Sequence, residues 1–215
     1  PELSVLFRLP LEALVLLIPT LIFALSFHEF AHAWMAAKCG DTTAARMGRL
    51  TLNPMAHLDM MGSLMILFVG FGWAKPVPVD SRFLRNPRTD MMKVAAAGPA
   101  ANLILAMAGG MVLRLLNGTG LLTESIFVLL LYFTRINIAL AVFNMIPVAP
   151  LDGSQIFSAY LAKTNPQLAW KIQSYGPQVL FGLIIFGYVT GFSIIWLVME
   201  PFVNFFMMIF AGISI

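Results

Sequence analysis

Four stretches of this chain, 11–35, 91–116, 124–146 and 179–199, are apolar for about as long as a helix needs to cross a lipid bilayer, roughly 20 residues. No other feature restricts the fold as much. In hydrocarbon every backbone N–H and C=O must be bonded within the protein, so such stretches form helices. Composition agrees. Of 215 residues 60% are apolar and 11% charged, whereas a water-soluble domain carries roughly a quarter charged residues. So few charges cannot cover a soluble surface of this size, and 12% aromatic residues exclude a disordered chain. The expected fold is an all-α polytopic membrane protein with about 4–6 transmembrane helices, forming a single transmembrane domain.

The first stretch reads as a span rather than a cleaved leader, because only Arg8 precedes it and no small-residue cleavage site comes before its polar end. Pro19 is expected to kink it. Residues 60–73, punctuated by Gly62, Gly70 and Gly72, are too few to cross and predict a re-entrant or interfacial element. The chain after it is expected to be extended, since Pro76 and Pro78 bias their predecessors away from helix. Together they make a re-entrant, extended hairpin between the first two core spans. Asn117-Gly118-Thr119-Gly120 is a turn and Thr123 an N-cap for the third span. A short amphipathic helix at 153–162 and a polar loop with Lys163 and Lys171 lead to the last span, and 201–215 is a further apolar segment.

Eight of the 13 basic residues lie between Lys38 and Lys93. A basic loop beside membrane spans belongs on the cytoplasmic side. The first and third spans then both end at that face, Lys163 and Lys171 fall there too, and the expectation is a multi-pass cell-membrane protein. The basic residues are not interleaved with aromatics as in a nucleic-acid surface, so no nucleic-acid partner is expected. The single cysteine, Cys39, excludes an internal disulfide or a cysteine-rich metal cluster.

His28, Glu29 and His32 stand at the end of the first span. Ionisable groups inside an apolar helix are costly and mark function. At i and i+4 the two imidazoles share one helical face, so both can reach one zinc ion. Glu29, about 100° around the helix, lies beside the metal, where it can take a proton from metal-bound water. This is the logic of the H-E-x-x-H metalloproteases. Such a site needs a third protein ligand and one open position. Asp152, after two prolines at the end of the third span, is one candidate, although with Gln155 it also resembles a helix-capping box. His57, in a loop, is the other, or else an anchor for that loop. Spacing does not decide between them.

His28-Glu29-Phe30-Ala31-His32, the Asn-Pro-x-x-His stretch from Asn53 to His57, Gly72-Trp73-Ala74-Lys75-Pro76-Val77-Pro78-Val79, Gly98-Pro99-Ala100-Ala101-Asn102, and Asn144 through Leu151-Asp152-Gly153 follow in that order. As a set they resemble the site-2 protease family of intramembrane zinc metalloproteases. The resemblance implies one Zn²⁺ on His28, His32 and Asp152, Glu29 as catalytic base, and Asn144 assisting the oxyanion or holding substrate. It leaves His57 a structural or supporting residue. It also implies regulated intramembrane proteolysis, that is, hydrolysis within or beside a transmembrane segment of a membrane-protein substrate, and the topology expected from the basic loop puts that site near the cytoplasmic side. Departures lie outside the motifs: the 38–93 loop is too short for an inserted PDZ domain, and no soluble C-terminal regulatory domain is expected.

A helical substrate must unwind before attack, and residues 75–79 could receive it as an edge strand. The small residues around Gly98 form a helix-packing face. Asn102 could bond across to the first span or support the metal shell. Arg135, mid-span, could pair with Glu124 or Glu200 or face a wet cavity. A rival reading is a small metal or proton transporter using the buried His, Glu and Asp. It lacks the internal repeat common in transporters.

Overall fold

The polar turns between the apolar runs set the helix boundaries in the computed structural model, which describes residues 11–69 and 72–213. Helix α1 spans Leu11–Lys38 and continues through Pro19 without a break. A one-turn helix α2, Thr43–Arg46, follows. Then comes α3, Met60–Val69, whose first turn is held by the Asp59 carboxylate accepting the Gly62 N–H at 2.8 Å. The chain returns beside its own entry: Leu58 and Ala74 form an antiparallel bridge, and the Lys75 N–H donates to the His57 carbonyl at 2.7 Å. The helical and extended arms of the expected hairpin thus meet at their base, and Gly70 at its tip lies outside the described residues.

Helix α4, Pro87–Leu116, is the centre of the bundle. It packs against α1, against α5 (Glu124–Asn144), against α6 (Asp152–Leu161) and against α8 (Ile194–Ala211). Half of its most apolar window is buried, 50%, against 11% for α7, Pro166–Thr190, at the periphery. Small residues make such centrality feasible. A Cβ added at Gly110 would lie 2.7 Å from a backbone carbon of Phe210, so α4 and α8 meet almost backbone to backbone. Around that contact Ala106, Leu113, Ile138, Met199, Val203 and Met207 form the apolar core. Among the described residues five helices, α1, α4, α5, α7 and α8, are long and apolar enough to cross a membrane. The chain is thus an all-helical, multi-pass membrane protein.

The last third of the chain departs from the sequence expectation. The apolar run at 179–199 is not one span. Gly191 adopts a left-handed φ of 73° and caps α7, and the Ser193 hydroxyl accepts the Trp196 N–H at 3.1 Å to start α8. Hydropathy is continuous across this break, so the cap chemistry alone reveals it. Lys171 also lies on a helix rather than in a loop, because Pro166 at the first helical position and Asn165 as N-cap begin α7 early. Thr123 does cap α5.

Two side chains secure α6, which matters for the site. Arg88 at the start of α4 donates to the Ala159 and Tyr160 carbonyls in the last turn of α6. Gln173 of α7 donates to the Ser154 carbonyl at 3.2 Å and the Ser158 hydroxyl at 3.0 Å.

Candidate metal centre

His28 and His32 are buried one turn apart on α1. Opposite them α4 presents Gly98, where an added Cβ would lie 2.6 Å from His28 Nε2 and would overlap His32 Nε2. Only a glycine leaves room for both rings, which gives the Gly98-Pro99 element a physical reason.

The outer nitrogen of each ring is occupied. His32 Nδ1 lies 2.7 Å from the Val94 carbonyl, which can only accept, so Nδ1 carries the hydrogen. His28 Nδ1 lies 2.6 Å from Asn102 Oδ1. The Asn102 amide is oriented by its other end, which donates to the Ala24 carbonyl at 3.2 Å and to Asn137 Oδ1 at 2.9 Å. Asn137 in turn donates to the Phe133 carbonyl at 2.9 Å. This chain of donors assigns the Nδ1–H tautomer to His28 as well. In the neutral rings both Nε2 atoms then carry lone pairs.

Those lone pairs face each other, 3.0 Å apart. Asp152 Oδ2 completes the group at 3.2 Å from His28 Nε2 and 3.3 Å from His32 Nε2. It is buried and aligned for a hydrogen bond to no group among the described residues. Three converging acceptors with no donor between them are unfavourable alone and are satisfied by a cation. Two imidazoles, one carboxylate and a supporting shell on the outer nitrogens make a donor set that suits zinc. The residues fit the metal.

Asp152 reaches this place because of where α6 starts. Leu151, not Asp152, is the N-cap, and Asp152 is the first helical residue. The capping-box alternative is therefore not realised, and the carboxylate is directed to the imidazoles. Gly153 permits the approach, since a Cβ there would overlap the Met145 carbonyl at the end of α5.

Glu29 is half-buried on the same turn, and its Oε2 accepts the Val77 N–H at 3.2 Å. His28, His32 and Asp152 line one cavity of about 600 Å³ together with Glu29, Val77 and Asn144. Asn144 donates to the Leu140 carbonyl of its own helix at 2.9 Å. The segment beside Glu29 is pinned at its far end, where Asp80 N–H donates to the buried Asp41 carboxylate at 2.7 Å. Burial alone would push the Asp41 carboxyl up. Its bonds from Thr43 and Asp80 outweigh burial and hold it below the usual range.

The structure brings together His28, His32, Asp152 and Glu29 and leaves His57 outside the group. His57 is buried with Nε2 2.7 Å from the Thr51 carbonyl, as an anchor of its loop. Arg135 makes no ion pair with Glu124 or Glu200 among the described residues. Its guanidinium lies 5.7 Å from the Trp196 ring, a cation–π contact between α5 and α8. Sequence reasoning missed Asn137 and the Val94 carbonyl. Asn137 had a signal, a polar side chain on an apolar span, whereas a backbone carbonyl has none.

A multi-pass helical protein with an H-E-x-x-H helix completed by a distant aspartate defines a membrane metalloprotease. Comparison with known proteins agrees. The model of peptidase family M50 matches residues 16–129 and 120–187, and the chain belongs to that family. It is 40% identical over 192 residues, 87% of each chain, to YwhC of Bacillus subtilis (strain 168), which is provisionally named a zinc metalloprotease. It is 32% identical over 182 residues to Rip2 of Mycobacterium tuberculosis (strain H37Rv), likewise provisionally named, covering 80% of this chain and 66% of that one. Zinc metalloprotease MJ0392 of Methanocaldococcus jannaschii is 24% identical over 180 residues, 83% of this chain and 44% of its own. No solved structure matches the chain significantly.

Proposed function

We propose that this protein is an intramembrane zinc endopeptidase that hydrolyses a peptide bond within or beside a transmembrane segment of a membrane-protein substrate, in regulated intramembrane proteolysis. The observation that carries the reading is the convergence of His28, His32 and Asp152 on one point beside Glu29, in a cavity large enough for a peptide. One zinc ion per chain, held by those three residues, would supply Lewis acidity toward the scissile carbonyl.

Glu29 takes a proton from the attacking water as the water oxygen bonds to the carbonyl carbon. The C–N bond then breaks, and Glu29 delivers the proton to the departing amine. Asn144 assists the developing oxyanion once its amide leaves the Leu140 carbonyl, a contribution of about 10²–10³-fold in comparable sites. Residues 75–79 receive the unwound substrate backbone as an edge. Val79 N–H has no partner among the described residues, and Val77 N–H is shared only with Glu29. The basic residues from Lys38 to Lys93 support a site near the cytoplasmic face of the cell membrane.

Glu29→Gln tests the reading against a transporter of the same composition. The purified variant is expected to keep one zinc per chain and to lose cleavage of a transmembrane substrate by at least about 10²-fold. Full cleavage by the variant, or metal flux with no peptide product from the wild type, would contradict it.

A further inference from the structure

Arg49 lies in the bend after α2 and is buried, only 6% exposed. Burying a guanidinium is costly unless its donors find acceptors. Arg49 makes no ion pair among the described residues. Its two terminal nitrogens donate instead to successive backbone carbonyls, Lys75 at 2.6 Å and Pro76 at 3.3 Å. The next amide along, Val77 N–H, is the one that reaches Glu29.

The reason for this clamp lies in the sequence it holds. Pro76 and Pro78 have no N–H, so the edge they share cannot be secured by an ordinary ladder to a neighbouring strand, and pairing is left to the opposite edge with Val77 and Val79. Apart from the Val77 bond to Glu29, its own N–H groups are held at the two ends, where Lys75 N–H donates to the His57 carbonyl and Asp80 N–H to the Asp41 carboxylate. The planar fork of an arginine can hold two adjacent carbonyls at once, which the single head of a lysine does less well.

We propose that Arg49 is a positioning residue for peptide hydrolysis: by gripping the Lys75 and Pro76 carbonyls it fixes the Val77 and Val79 amides beside Glu29, where the substrate backbone pairs. The inference rests on reading the chain as a peptidase that receives substrate along 75–79.

The test compares wild type, Arg49→Lys and Arg49→Ala as full chains in detergent. Amide hydrogen exchange at Val77, whose N–H is bonded to Glu29, kcat and KM on one transmembrane substrate, zinc per chain and Tm are measured. In both variants the Val77 amide is expected to exchange at least about tenfold faster. With misplacement of the order of an ångström, kcat/KM falls by about 10²-fold in the alanine variant and less in the lysine variant, at unchanged zinc content. Unchanged exchange, or faster exchange with kcat/KM intact, overturns the proposal. Loss of zinc or collapse of Tm in both variants also overturns it, because Arg49 would then support the fold. A wild type that cleaves nothing defeats the peptidase reading instead, and unchanged exchange would still count against Arg49 separately.

Discussion

At the scale of single residues, Asn102 is what joins the centre to the rest of the bundle. Its one amide ties α4 to the His28 ring, to the α1 backbone at Ala24 and to Asn137 on α5. Asn102→Leu keeps the branched shape, with methyl groups in place of the amide, and removes all three bonds. Loss of such outer partners commonly costs about 10–100-fold in metal affinity, and chelator competition is expected to show a weakening of that size; unchanged affinity would mean the His28 tautomer is held otherwise. The sequence raised two roles for Asn102, bonding across to α1 or supporting the metal shell, and the structure has it bonded both to the α1 backbone at Ala24 and to the His28 ring. Asp152 was less legible. A cap and a first helical residue differ by one position, and only the fold decides which way such a side chain turns. His28, Glu29 and His32 were plain from the start, because spacing on a single helix is local geometry.

At the scale of elements, the 75–79 segment was legible through its prolines, yet what holds it was not. Arg49 and Asp41 meet it from more than two dozen residues away in sequence. Such contacts leave no periodic trace. The edge function is tested by Val79→Pro, which removes the free amide and leaves the Arg49 and Glu29 bonds in place. Cleavage is expected to fall at least about tenfold with zinc retained, consistent with the loss of one main-chain bond to the substrate. Unchanged cleavage would show that substrate does not pair there. The α7–α8 break shows the reverse kind of miss. The signals, Gly191 and Ser193, were local and available, but a hydropathy window passes over a two-residue cap when both flanks are apolar.

For the whole molecule, the centre exists because one helix, α4, is thin enough to touch most of its neighbours. Gly98 admits the imidazoles, Gly110 admits α8, and Arg88 fastens α6 so that Asp152 stays near α1. Class and a range of about four to six spans followed from apolar run lengths, but the division at Gly191 and the central place of α4 did not, since run length says nothing about caps or about which helix neighbours which. A membrane metalloprotease built this way needs His28, His32 and Asp152 to hold one ion together. Zinc-edge X-ray absorption on the purified protein measures this directly. Scattering from two imidazoles and one carboxylate oxygen at about 2.0–2.2 Å is expected, with the oxygen contribution altered in Asp152→Ala. A wild-type spectrum lacking imidazole scattering, or one that Asp152→Ala leaves unchanged, would contradict it.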